Sequence, residues 1–66
     1  RYFGQAVIST DGGAVNVREK PDINSPVVAA LPDGTVVKVF ERVNDWFLIE
    51  DGSTAGFVNA EFIRQL

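Results

Sequence analysis

Short apolar runs separated by polar turns repeat along the whole 66-residue chain. The strongest pattern lies in residues 44–58, which predict two apolar strands joined by a tight turn at Asp51 and Gly52. Both residues tolerate the positive φ of a two-residue hairpin turn. Such a turn would place Leu48 opposite Ala55 across the hairpin.

The first strand of this hairpin is apolar on both faces. Successive side chains of a strand point to opposite sides, so Phe47 and Ile49 share one face, and Trp46 and Leu48 share the other. One face should line the core. The other face must be covered by loops or serve as a surface, and it carries the single tryptophan of the chain.

The remaining segments predict further strands and few helical residues. Residues 14–18 alternate cleanly, with Val15 and Val17 directed inward and Asn16 and Arg18 directed outward. Further strands are predicted at residues 5–9, 27–31, 36–41 and, as a last edge strand, 64–66. Turns or polar loops are predicted at residues 10–13, 19–26, 31–35 and 41–45, with a single helical turn near residues 59–62. Five or six short antiparallel strands of this kind predict a small barrel or sandwich, and a barrel suits a short chain because closure removes exposed edges.

Length and composition point to one domain with a thin margin of stability. A chain of 66 residues buries only about 60% of its unfolded surface, and no cysteine is present to form a disulfide. We expect residues 1–5 to be a linker or the fringe of the first strand and residues 6–66 to form the domain. The chain starts at Arg1, so we expect it to be part of a longer protein.

Several function classes are disfavoured by what the sequence lacks. Without His or Cys, thiol nucleophiles, imidazole bases and zinc sites are absent, and we expect no metal, no cofactor and no enzymatic activity. The nine carboxylates lie mostly in predicted turns rather than in the sheltered cleft that acid–base catalysis needs. A net charge of −3 with six scattered basic residues disfavours nucleic acid and anionic membranes. No apolar run is long enough to predict membrane insertion.

Trp46 is the main candidate for ligand binding. It could pack into the barrel or form the floor of a groove between the loops at residues 19–26 and 41–45, and the two roles are compatible. Hydrogen bonds along this groove could come from the polar loop residues Asn44, Asp45, Asp22 and Asn24, although turn formation alone is their more frequent role. Phe62 could be core on one edge and groove on the other.

Arg18 is the last candidate, because the alternation places it on the outward face. It could form a weak surface ion pair, with Glu19, Glu41 or Glu50 as the possible partners, or it could reach a ligand carboxylate. The ion pair is the more ordinary role.

The order of these motifs resembles the bacterial SH3-like (SH3b) family. That family has a Leu-Asn-Val-Arg-x-x-Pro opening, a hydrophobic strand ending in Leu, a Gly-Thr turn, a β-branched strand, a tryptophan-led strand and a Gly-Trp-Val segment. The chain follows this order at Asn16, Val17, Arg18, Pro21, residues 27–31, Gly34, Thr35, residues 37–39, residues 46–49, Gly52, residues 56–58, Phe62 and Ile63. Val15 stands where leucine is usual, and Phe57 stands where the second tryptophan is usual.

The resemblance implies an SH3-like barrel and a non-catalytic module of a bacterial cell-envelope or secreted protein. Family members often flank cell-wall hydrolases, so the implied partner is cell-wall peptidoglycan, bound as peptide or glycan in a shallow groove, or another peptide ligand. Two alternatives remain open: a structural or regulatory domain packed on a neighbouring domain of the same chain, and a protein–protein interaction module. We expect the isolated domain to be monomeric.

Overall fold

The structure is a computed structural model that describes residues 4–66. It contains seven strands and one 3-10 turn, in the order β1 Gly4–Ile8, β2 Ala14–Arg18, β3 Val27–Pro32, β4 Val36–Val43, β5 Trp46–Asp51, β6 Thr54–Asn59, η1 Ala60–Phe62 and β7 Ile63–Gln65. The all-β prediction and the single helical turn are therefore confirmed. The strand count exceeds the predicted five to six because the last edge strand forms as β7, which pairs with β1. The predicted linker lies outside the described residues at positions 1–3, whereas Gly4 and Gln5 belong to β1.

All strand pairings are antiparallel and connect the seven strands into one sheet with the order β3-β2-β6-β5-β4-β1-β7. Within residues 4–66 the hydrogen-bonded order begins at β3 and ends at β7. The closure of a barrel between these two end strands therefore stays a prediction.

One core holds this sheet together. Its nine buried apolar side chains come from six of the seven strands: Ala6, Ile8, Val15, Val17, Leu31, Val37, Val39, Ile49 and Val58. A flat sheet would be about 10 Å thick, but the smallest dimension of the molecule is 23 Å. The sheet therefore curves strongly so that one face of all these strands surrounds a shared interior.

The hairpin between β5 and β6 differs from the sequence prediction by two residues. Leu48 pairs with Phe57, and not with Ala55 as predicted. The central turn residues are therefore Gly52 and Ser53, and Gly52 has a φ of 61°, as expected for the type II′ turn that takes glycine first. Because strand side chains alternate with a period of two, this shift leaves every side chain on its predicted face.

The predicted polar loop at residues 41–45 is also shorter than expected. β4 extends to Val43, and only Asn44 and Asp45 remain between β4 and β5. Asn44 adopts a left-handed φ of 53°, which asparagine tolerates better than most residues. The prediction was wrong here because the polar residues Glu41 and Arg42 continue β4 and pair with β5 instead of forming a loop.

Candidate functional site

A groove of about 240 Å³ opens beside Trp46. Its walls are mostly apolar or aromatic, with two amides and one guanidinium among them. The lining residues are Ala14, Val15, Asn16, Arg18, Ile23, Trp46, Asn59 and Phe62. These residues come from β2, the loop at residues 19–26, β5, the end of β6 and η1, so the tertiary fold assembles the groove.

The side chains of β2 alternate between the core and the groove. Val15 and Val17 are buried in the core, which turns Ala14, Asn16 and Arg18 to the opposite face. The same five-residue strand therefore contributes to the interior and forms one wall of the groove.

Trp46 and Phe62 are held together by the contacts between η1 and the β4–β5 turn. Trp46 begins β5 and pairs with Asn59 at the end of β6. The backbone N–H of Ala60 donates to the carbonyl of Asp45 at 2.7 Å, which fixes η1 against that turn. The Asn59 side chain caps the helical turn by accepting from the N–H of the second η1 residue at 3.1 Å. Both aromatic side chains are half-buried.

The loop at residues 19–26 is organised around Ser25, whose side chain is buried. The Ser25 hydroxyl oxygen accepts from the backbone N–H of Lys20 at 2.8 Å. The Asp22 carboxylate accepts from the backbone N–H of Asn24 at 2.9 Å, which forms a local Asx turn. These bonds leave Ile23 at the loop tip, 64% exposed, as a groove-lining residue.

Arg18 lies at the junction of β2, this loop and the groove. Its Nη1 donates to the carbonyl of Ser25 at 2.9 Å. This hydrogen bond directs the guanidinium to the loop backbone. A surface ion pair with Glu19, Glu41 or Glu50 stays a prediction. Arg18 is half-buried.

The structure brings together three of the seven predicted site residues, namely Trp46, Phe62 and Arg18. The other four do not line the groove: Asn44, Asp45, Asp22 and Asn24. Their backbone or side-chain groups shape the two turns described above. Ligand binding by these seven residues stays a prediction.

Five lining residues were not among the predicted site residues: Ala14, Val15, Asn16, Ile23 and Asn59. Two of them had a visible signal. Asn16 lies between two inward valines and so had to face outward, and Ile23 is an isolated apolar residue in a polar loop. Asn59 had none, because its place in the groove depends on the pairing of β5 with β6.

Across residues 4–66 there is no group of three or more side chains suited to hold a metal ion. Over the same residues, no helix is long and apolar enough to cross a membrane.

The curved sheet and its aromatic groove define a small all-β binding module. Residues 13–64 match the family model of the bacterial SH3 domain. This match covers most of the chain, from the start of β2 to β7, and the protein belongs to the bacterial SH3 domain family. No match is found among curated proteins. Family membership supports a role in binding or targeting and leaves the ligand to be identified.

Proposed function

We propose that this domain is a non-catalytic module that holds a bacterial cell-envelope or secreted protein at peptidoglycan. The observation that carries the proposal is the groove in which Trp46 lies half-exposed beside Ile23 and Phe62. Tryptophan provides a large, rigid contact area and is enriched in binding hot spots. Its indole ring can stack on the face of a sugar or on a peptide plane.

The chemistry of the groove supports binding rather than catalysis. The eight lining residues carry aliphatic, aromatic, amide and guanidinium groups, and the described part of the groove offers no carboxylate, hydroxyl or thiol. A shallow groove of this size should bind weakly alone, and a neighbouring domain on the same chain would raise the effective affinity by avidity.

We further infer that residues 6–66 form one monomeric domain of a longer chain and that its sheet closes as an SH3-like barrel. The strong curvature of the sheet and the family match support this closure.

The test is a pull-down of the domain with purified peptidoglycan sacculi, together with Trp46 fluorescence during titration with soluble wall fragments. Trp46 is the only tryptophan, so its emission reports on the groove alone. We expect enrichment with sacculi and a fluorescence change. Trp46→Phe should weaken binding by about tenfold, since truncating a hot-spot residue costs more than about 1 kcal/mol.

Two controls make this test decisive. Val36→Ala alters a residue that is 49% exposed and does not line the groove, so it should leave binding unchanged. Thermal unfolding must show that each variant is folded. A folded Trp46→Phe variant that binds sacculi as well as the wild type does would contradict the anchoring role of Trp46.

The second candidate function is a structural module that packs on a neighbouring domain. It is favoured by Val27 and Val28, which are 48% and 49% exposed on β3. This strand lies at one end of the sheet, and all of its residues are uncharged. A folded domain that does not bind sacculi would favour this alternative.

A further inference from the structure

Arg18 is the only charged residue among the eight described residues that line the groove. The chain has nine acidic and six basic residues, so potential carboxylate partners are abundant. Nevertheless, the hydrogen bond of Arg18 in the described structure goes to a neutral backbone carbonyl, that of Ser25. A guanidinium has five N–H donors, so this bond leaves most of its donor capacity for another acceptor.

The loop at residues 19–26 holds this guanidinium in place. Its contact with the carbonyl of Ser25 is 2.9 Å long, and the side chain of Ser25 is itself buried and bonded to the N–H of Lys20. The backbone of Arg18 is paired on one side with Val27 and on the other with Phe57. A side chain that is already ordered loses less conformational entropy when it binds a ligand.

Partial burial strengthens any ion pair that the Arg18 guanidinium forms with a ligand. An ion pair between fully exposed side chains contributes little, because water and salt screen it and two mobile chains must be ordered. Arg18 is half-buried beside apolar walls, where the effective dielectric constant is lower.

We propose that the groove binds a peptide through one of its carboxylates, which pairs with Arg18 while the aromatic and aliphatic walls contact the apolar part of the peptide. This inference rests on the function proposed above and specifies the part of the wall that is recognised. The planar guanidinium matches the two oxygens of a carboxylate. The net charge of −3 opposes a polyanion with many phosphates, whereas it tolerates one carboxylate beside Arg18.

The first experiment compares two synthetic, N-acetylated stem tetrapeptides, L-Ala-γ-D-Glu-L-Lys-D-Ala, by titration of Trp46 fluorescence. One has both carboxyl groups free, and the other has both amidated. We expect the wild-type domain to bind the free acid about tenfold more tightly than the amide, as charge-assisted hydrogen bonds are stronger than neutral ones. This comparison uses only the wild-type domain, so a variant that fails to fold cannot affect the result.

The second experiment locates the effect at Arg18. In Arg18→Gln the preference for the free acid should disappear, and in Arg18→Lys, which keeps the charge but loses the planar fork, it should be reduced. Lys20→Gln is the matched control, because it removes a positive charge from the same loop without touching the groove. It should leave the preference intact.

The outcomes separate the two proposals. If sacculi bind but the wild-type domain does not distinguish acid from amide, the carboxylate proposal is overturned and the targeting function stands. If sacculi and both peptides fail to bind, both proposals are overturned. If binding to sacculi is lost when their phosphate-containing polymers are removed, those polymers are the ligand and the peptide proposal is overturned.

Discussion

Replacing Gly56 with alanine should destabilise the domain because β6 and β2 pass too close for a Cβ atom. A Cβ at this position would lie 2.6 Å from Cγ1 of Val17 and 2.8 Å from the carbonyl oxygen of Arg18. It would also lie 3.3 Å from Cγ2 of Val28. The first contact is with a core side chain and the second is with backbone, so relief requires β2 itself to move.

The expected loss is a large part of the stability of so small a domain. Overpacking a well-packed site costs about 1–3 kcal/mol, and a single core in a chain of this length rarely supplies more than about 3–5 kcal/mol. With a shift of about 4–8 °C for each kcal/mol, the melting temperature of Gly56→Ala should fall by about 5–20 °C.

Thermal unfolding followed by circular dichroism measures this shift, and Gly13→Ala is the matched control. Gly13 has open space around its Cβ position and no positive φ. Its replacement should leave the melting temperature unchanged or raise it, since alanine restricts the unfolded chain and can stabilise by about 0.4–1 kcal/mol. Equal melting temperatures for the two variants would refute the close approach of β6 to β2.

Two further substitutions test the hydrogen bonds that hold the loops. Ser25→Ala removes the acceptor for the Lys20 N–H and should lower the free energy of unfolding in urea by about 1–3 kcal/mol; an unchanged midpoint would show that the loop does not depend on this bond. Asp33→Ala removes the acceptor for the Thr10 N–H, bonded at 2.8 Å, and should cost about 0.5–1.5 kcal/mol. Asp33→Asn retains an acceptor oxygen and should stay close to the wild type, so equal losses in both Asp33 variants would contradict this assignment.

Much of the core could be predicted from the sequence because its signal is local. Val15 and Val17 flank the polar Asn16, Val37 and Val39 flank the polar Lys38, and all four valines are buried. The register of the β5–β6 hairpin could not be fixed in the same way. Glycine can occupy either central position of a two-residue turn, depending on the turn type, so local chemistry allowed a turn at residues 51–52 as well as at 52–53.

The groove was harder to predict because its walls are distant in sequence. The polar loop residues chosen as ligands, such as Asp22 and Asn24, already use their groups to form turns. The residues that line the groove are brought together by the pairing of β5 with β6 and by the fold of the loop at residues 19–26. Trp46 was identified because it is the single tryptophan and lies on the strand face opposite Phe47 and Ile49, and that signal is independent of register.

β2 contributes to both the core and the groove, so changes in stability and in ligand affinity are coupled in this domain. The strand buries Val17 in the core and presents Arg18 to the groove, and the close approach of Gly56 involves both residues. A substitution that displaces β2 should therefore reduce stability and ligand affinity together. A loss of affinity identifies a contact with the ligand only when the melting temperature is unchanged, and the comparison of free and amidated peptides on the wild-type domain meets this condition without any substitution.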